Sequence, residues 1–334
     1  MVEEQADLTI ITLGGTIASV PEHAGGSATP SLTADDLVTA LPQLSELVTV
    51  QAHSFRQYPS GDLNIADLNA LAREITAQAA AGRRGFVITQ GADTLEETAY
   101  LLDLSADVQA PVVLTGAMRH AGLPGADGPA NLLAAARVAV SEQARGLGAL
   151  VVMNDEVHAA RWMRKTHTSS TAAFASPGLG PLGWVSEDQV RIPLVPRQRT
   201  PRIVVGENVD LPHVALLRLG LGSDATLIEH LADLGYDAAV IEVYGGGHAS
   251  QRTVHALHDL ATCMPVVFAS RTGAGELLTD TYGFPASERD LLERGLISAG
   301  ARDGLKARLL LSMLLASGAD RQTLQHHFHD SVTY

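Results

Sequence analysis

Cysteine, basic residues and long apolar runs are all scarce in this sequence. Its 334 residues include one cysteine, Cys263, so no internal disulfide can form and a cysteine-based metal site is not expected. Acidic residues outnumber basic ones by 37 to 23, and the formal net charge of -14 disfavours nucleic acid as a partner. The apolar runs are strand-sized, far shorter than the roughly 20 residues of a membrane-spanning helix. We therefore expect neither a nucleic-acid nor a membrane partner.

Apolar material for a folded core is abundant. The chain is 46% hydrophobic and 18% charged, and its length favours two domains over one. The opening residues, MVEEQADLTI, are acidic and enter a strand at once, which is unlike a signal peptide and favours a cytoplasmic protein. Cys263 stands where a predicted helix runs into a buried strand, so we expect its thiol to lie in the core.

Strand-like and helix-like segments alternate along most of the chain. The predicted strands cover residues 8–13, 48–55, 85–89, 111–115, 149–153, 214–219, 238–243 and 266–270. One predicted helix begins after Thr33, and others cover residues 65–81, 95–104, 129–141, 225–234, 253–261, 288–294, 305–316 and 322–327. Residues 176–193 combine turn signals with alternating polarity, which predicts a hairpin. This order is typical of an α/β protein with a mainly parallel sheet and helices on both faces.

The change of pattern near residue 200 suggests a domain boundary. We predict a larger N-terminal domain at residues 1–196, a linker at residues 197–211 and a smaller α/β C-terminal domain at residues 212–334. In open α/β sheets ligands bind beyond the carboxyl ends of the strands. The loops at those ends are therefore where functional residues are expected.

Two of these loops carry the most informative residues. The loop after the first strand reads LGGTIA over residues 13–18, where the glycines allow a tight turn that presents Thr16. Its spacing is not that of a dinucleotide-binding loop. The loop after the third strand contains Asp93, and Thr94 and Glu97 have the spacing of a capping box, which predicts a helix from Leu95. Likewise, the expected role of Asp127 is to cap the helix that begins with Pro129.

These loops make the sequence resemble the bacterial-type L-asparaginase and glutaminase-asparaginase family along essentially its whole length. The family signatures T-G-G-T-I-A and H-G-T-D-T followed by M-E-E-T-A correspond here to LGGTIA at residues 13–18 and QGADTLEETA at residues 90–99. Further matches are TGAMR at residues 115–119, ADGPANL at 126–132, VVMND at 151–155 and KTHT at 165–168. The resemblance implies the family's two-domain α/β fold, a homotetramer and hydrolysis of a side-chain amide without a cofactor.

The resemblance also assigns catalytic roles, residue by residue. The family's nucleophile falls on Thr16, and its threonine–aspartate–lysine arrangement falls on Ala92, Asp93 and Lys165. A threonine hydroxyl is a poor nucleophile until a neighbouring base takes its proton. Ala92 has no hydroxyl, so we expect binding to survive and turnover to be slow. An engineered inactivating substitution and natural divergence both remain open as its origin.

Substrate contacts are implied at Ser60, Gly61, Gly91, Asp93 and Glu276. Ser60 matches the serine that binds the α-carboxylate, and Asp93 would also hold the substrate ammonium. Glu276 matches, more loosely, a glutamate donated by a neighbouring subunit. L-asparagine is the expected substrate and L-glutamine the alternative.

The chain departs from the family at several other positions. Gln90 stands for a histidine, Gly61 for a glutamine found in many members, and Gly246 for an asparagine of the second domain, while the place of a loop tyrosine falls near Ser27. The missing tyrosine and asparagine would open space around the ligand. The changes at Gln90, Gly61 and Gly246 leave two alternatives, namely a diverged amide or lactam hydrolase and a non-catalytic amino-acid-binding protein. The 13 histidines show no metal-ligand spacing, and we predict no metal.

Overall fold

A computed structural model describes residues 7–21, 26–207 and 209–329 of the chain. The chain divides into a first unit, Met1–Arg202, and a second unit, Ile203–Tyr334. Residues 198–202 of the predicted linker are tied to the first unit. Arg199 Nη1 donates to the Val108 carbonyl oxygen at 3.1 Å, and Arg202 pairs with Asp107 at 2.5 Å.

The first unit is built around an eight-stranded sheet in the order β12-β11-β8-β7-β6-β5-β1-β4. Its strands, with those of two small hairpins, are β1 (Leu8–Gly14), β2 (Ser19–Pro21), β3 (Ala28–Pro30), β4 (Val50–Tyr58), β5 (Gly85–Thr89), β6 (Val112–Thr115), β7 (Ala149–Met153), β8 (Glu156–Ala159), β9 (Arg164–Lys165), β10 (Phe174–Ala175), β11 (Gly183–Ser186) and β12 (Gln189–Arg191). Five neighbouring strands of the sheet are parallel, namely β4, β1, β5, β6 and β7. The sheet continues with the antiparallel strands β8, β11 and β12. Every residue of β1, β5, β6 and β7 is buried, as parallel strands covered on both faces require.

Helices cover both faces of this sheet. They are α1 (Ala34–Thr39), α2 (Gln43–Leu47), α3 (Ile65–Ala80), α4 (Leu95–Ser105) and α5 (Gly128–Ala139). One core cluster joins residues of α1, α2 and α5 to strand residues of the sheet, namely Leu8, Ile10, Val87, Val113, Leu150 and Val152. Since successive strand residues point to opposite faces, these three helices share one face. Helices α3 and α4 pack against each other, and α4 also packs on β6 and β7, so this pair covers the other face.

The second unit is a smaller α/β structure with a four-stranded parallel sheet in chain order. Its elements are β13 (Val214–Arg218), α6 (Thr226–His230), β14 (Ala238–Val243), α7 (Val254–Cys263), β15 (Val266–Ser270), α8 (Glu288–Glu293), β16 (Ile297–Ser298), α9 (Gly304–Ala316) and α10 (Arg321–His329). Helix α9 packs across β13, β14 and β15. Within the described residues no helix is both long and apolar enough to cross a bilayer.

The predicted fold class is confirmed, and so is the hairpin, which β11 and β12 form. The prediction for Cys263 was wrong, because its thiol is free and exposed. The apolar face of α7 carries Leu257, Leu260 and Ala261, and a residue two positions after Ala261 faces away from that stripe. Helix α6 is also shorter than predicted, ending at His230.

Candidate active site

The sheet order creates one position where loops diverge. After β1 the chain crosses to β4 on one side, and from there it passes to β5 on the other side of β1. The carboxyl ends of β1 and β5 therefore flank a topological switch point, the usual ligand-binding position of open α/β sheets. The loops at these two ends are the ones that carry Thr16 and Asp93.

Two short 3₁₀ turns begin with the hydroxyl residues predicted to be functional. Thr16 begins the turn Thr16–Ala18 just after β1, and Ser60 begins the turn Ser60–Asp62 just after β4. The chain leaves β1 through Gly14, which has a φ of 98° and approaches Tyr58 so closely that a Cβ would lie 2.6 Å from its carbonyl oxygen. A side chain at Gly14 would force this turn apart.

Three loops are brought into van der Waals contact by two glycines. Gly15 has a φ of 82°, and a Cβ there would lie 2.0 Å from the backbone nitrogen of Gly91. A Cβ on Gly91 would lie 2.9 Å from both Cβ and Oγ of Ser60. The loops after β1 and β5 thus meet backbone to backbone, the loop after β4 meets them through the Ser60 side chain, and the neighbourhoods of Thr16, Ser60 and Asp93 are brought together.

Lys165 reaches this cluster from the β9–β10 hairpin. Its Nζ lies 2.6 Å from Asp93 Oδ1, and its backbone N–H donates to Glu96 Oε2 at 2.8 Å. The lysine side chain is 15% exposed whereas that of Asp93 is 83% exposed, so the pair joins a sheltered cation to a solvated carboxylate. Ala92, which precedes Asp93, is 6% exposed and brings only a methyl group.

The capping box predicted for α4 is absent, although the helix does begin at Leu95. Thr94 is the N-cap residue but its side chain makes no capping hydrogen bond. Its hydroxyl instead donates to the Ser60 carbonyl oxygen at 2.9 Å and accepts from Gln90 Nε2 at 2.9 Å. A tertiary contact has therefore replaced the local one, which sequence spacing could not reveal.

The capping role predicted for Asp127 was also wrong. Its side chain accepts no capping hydrogen bond from the backbone N–H groups of α5. It accepts from the backbone N–H groups of Met118 and Arg119, the latter at 2.8 Å, and from Asn131 Nδ2 at 3.1 Å. Asn131 in turn donates to the Gly116 carbonyl oxygen at 3.0 Å. Asp127 and Asn131 thus hold the loop after β6, and no signal in the sequence pattern distinguished this role from capping.

The positions where the chain departs from the family pattern differ in how open they are. At Gly61 no heavy atom lies within 4 Å of a built Cβ, so this position is open. At Gly246, in the second unit, Leu278 Cδ1 would lie 2.8 Å away, so the expectation of open space is wrong there. Ser27 and Glu276 are both exposed, the latter on the second unit.

A buried histidine, His158, lies next to the end of the β9–β10 hairpin that carries Lys165. His158 Nδ1 is 3.0 Å from Ser176 Oγ, just after β10, and its Nε2 is 3.2 Å from Glu156 Oε2. Burial lowers the pKa of His158, and the nearby Glu156 carboxylate opposes that shift only in part. Among the described residues no group of three or more histidine, cysteine or acidic side chains could hold a metal ion.

Fold and sequence comparisons together define the class, which is that of two-domain α/β amidohydrolases. The family model described as "Asparaginase, N-terminal" matches residues 7–197, and "Glutaminase/Asparaginase C-terminal domain" matches residues 213–328. The chain belongs to the asparaginase family.

Similar proteins match over nearly the whole chain. A probable L-asparaginase of Deinococcus radiodurans is 37% identical, with 97% of this chain and 98% of the relative covered. A probable periplasmic L-asparaginase of Haemophilus influenzae is 34% identical, with 97% and 93% covered. The crystal structure of a probable cytoplasmic L-asparaginase from Campylobacter jejuni superposes with a TM-score of 0.87 at 30% identity, covering 96% of this chain and 98% of that one.

Proposed function

We propose that this protein hydrolyses the side-chain amide of L-asparagine, with L-glutamine as the alternative, through an acyl-enzyme on Thr16. The observation that carries this proposal is the contact of Gly15 with Gly91, which sets the Thr16 loop against the loop bearing Asp93. The Asp93–Lys165 pair, 2.6 Å apart, lies beside it. Within the described residues the Thr16 hydroxyl has no hydrogen-bond partner, so it is available to a ligand.

The reaction divides into two steps. Thr16 Oγ1 attacks the amide carbon and loses its proton, and the carbon–nitrogen bond breaks as ammonia takes up a proton and leaves. Water then attacks the resulting ester and releases the acid and the threonine hydroxyl. The backbone N–H of Ala92 is the proposed donor to the developing oxyanion, a role that needs no side chain. Ser60 would bind the α-carboxylate, Asp93 the ammonium group, and Gly61 and Gly91 would line the substrate.

The methyl group of Ala92 limits this chemistry. Lys165 and Asp93 are paired beside a position that would need a hydroxyl to pass a proton onward. General acid–base assistance is worth about 10² to 10⁴ in rate. The proposal is therefore a site that binds its substrate and turns it over slowly.

Ammonia release from L-asparagine and L-glutamine by this chain and by an Ala92→Thr variant tests the proposal. The variant should gain at least about 10² in rate, because it restores the missing hydroxyl beside Lys165. An Asp93→Asn change in the Ala92→Thr background serves as the matched control and should remove the gain. Silence of both the chain and the variant, with both folded, would refute the asparaginase proposal.

One observation favours a second candidate, a diverged amide hydrolase of the same fold. Gly61 is open and lies next to Ser60, so a substituent larger than the free amino acid has room there. A wider amide and lactam screen with the Ala92→Thr variant distinguishes the two candidates. Ligand binding without any turnover in that variant would point instead to an amino-acid-binding protein.

Assembly, domain limits and location stay predictions. We propose a homotetramer in which Glu276 completes a neighbouring subunit's site, and gel filtration showing a monomer would contradict it. We keep the domain limits at residues 196 and 212, with the segment between as a linker. The cytoplasmic location is likewise a proposal, since the names of similar proteins include both a periplasmic and a cytoplasmic one.

A further inference from the structure

A chain of two hydrogen bonds runs from the loop after β5 to the turn after β4. Gln90 Nε2 donates to Thr94 Oγ1 at 2.9 Å, and Thr94 Oγ1 donates to the Ser60 carbonyl oxygen at 2.9 Å. Gln90 is fully buried and Ser60 is 5% exposed. These two hydrogen bonds therefore link two of the three loops that meet at the site.

The direction of these bonds is fixed by proton counting. A threonine hydroxyl has one proton, and the Ser60 carbonyl oxygen can only accept it. Thr94 Oγ1 must then accept from Gln90, which sets the orientation of the Gln90 amide. Gln90 Oε1 has no hydrogen-bond partner within the described residues, so the amide is held by its donor side alone.

The Ser60 carbonyl oxygen accepts the hydrogen bonds that restrain the Ser60–Asp62 turn. It accepts the Leu63 N–H at 3.4 Å, a long bond that closes the Ser60–Asp62 turn weakly. The shorter bond from Thr94 adds a second restraint on the same oxygen. The Ser60 side chain lies against Gly91, whose Cα has no room for a substituent on that side. A displacement of the Ser60 backbone, which the bond to its carbonyl oxygen opposes, would therefore move Oγ relative to the Gly91 loop.

We propose that Gln90 and Thr94 are positioning residues that fix the direction of the Ser60 hydroxyl in the ligand site. The inference rests on the proposed function of Ser60 as the α-carboxylate contact. Thr94 sets the Ser60 peptide directly, and Gln90 keeps the Thr94 proton pointing at it. A purely local role for Thr94 at the start of α4 does not account for the contacts, because its side chain makes no cap.

A double-mutant cycle with L-aspartate, the proposed product, tests this without requiring turnover. Calorimetric dissociation constants are measured for this chain and for the Thr94→Val, Thr94→Ser, Ser60→Ala and Ser60→Ala/Thr94→Val variants. Thr94→Val keeps the shape and removes the hydroxyl, and it should weaken binding between about twofold and about tenfold, the range of one hydrogen bond. Thr94→Ser should restore it. In the Ser60→Ala background Thr94→Val should add nothing, because the group it positions is gone.

Hydrogen exchange of the Asp62 and Leu63 amides gives a readout that needs no ligand. Exchange should rise in Thr94→Val and in Gln90→Met but not in Thr94→Ser. Unchanged exchange in Thr94→Val overturns the positioning role, as does equal weakening of L-aspartate binding with and without Ser60. If this chain does not bind L-aspartate at all, the proposed function fails while the exchange data still decide whether Thr94 holds the Ser60 turn.

Discussion

Adding one methyl group at Gly91 should strain the point where the three site loops meet. In a Gly91→Ala variant the new carbon would lie 2.9 Å from Cβ and Oγ of Ser60 and 3.3 Å from the Cα of Gly15. Separations under 3.0 Å require the neighbours to move, and the cost of overpacking is typically about 1 to 3 kcal/mol. For a unit of about 200 residues, each kcal/mol lowers the melting temperature by about 2 to 4 °C. The expected fall is therefore about 2 to 12 °C.

Gly61→Ala is the matched control, since it makes the same chemical change in the neighbouring loop after β4. No heavy atom lies within 4 Å of its built Cβ. Loss of backbone freedom in the unfolded chain should then stabilise the variant by about 0.4 to 1 kcal/mol. Differential scanning calorimetry of both variants beside the unmodified chain gives the comparison.

The outcome separates packing from a general sensitivity to alanine. If Gly91→Ala has the same melting temperature as the unmodified chain, the three loops are not in contact, and the loop contact that supports the proposed function is wrong. If Gly61→Ala falls as far as Gly91→Ala, the argument from built Cβ positions fails. A fall confined to Gly91→Ala, accompanied by weaker L-aspartate binding, is the expected result.

Two further predictions concern ionisable side chains of the first unit. Burial lowers the pKa of His158 below its ordinary 6.5, so its neutral form favours folding. The contribution of neutral His158 to folding stability is complete above about pH 6.5 and is lost as the pH falls towards the lowered pKa. Between about pH 7.5 and about pH 5.5 the melting temperature of a His158→Gln variant should therefore fall less than that of the unmodified chain. Lys165→Met in the Ala92→Thr background should cut ammonia release by about 10² to 10⁴. Its melting temperature should change little, because Asp93 is 83% exposed and stays solvated; an unchanged rate would contradict the catalytic role.

The sequence by itself determined the alternation of strands and helices. The strands Gly85–Thr89, Ala149–Met153, Ala238–Val243 and Val266–Ser270 have the bounds predicted from the sequence. These strands are buried along their whole length, so they are mainly apolar, and this property can be read locally. The family motifs likewise led to the family that the comparisons establish.

The roles of individual polar side chains could not be determined in this way. Thr94 and Asp127 both stand at helix starts, yet neither side chain caps its helix and each binds the backbone of a neighbouring loop. Capping spacing is a local property, while the partner that wins is set by which loop the fold brings within 3 Å. The sequence does not show how far apart residues 60 and 94 lie in the folded chain.

The tertiary structure alone decided where space remains. Gly61 and Gly246 both lack a side chain, and the sequence gives no reason to treat them differently. The first is open, whereas Leu278 fills the space beside the second. Close approach between segments far apart in the chain, as between Gly15 and Gly91, depends on strand order and register. The alternating pattern limits these but does not specify them, because the same strands and helices can be connected in more than one order.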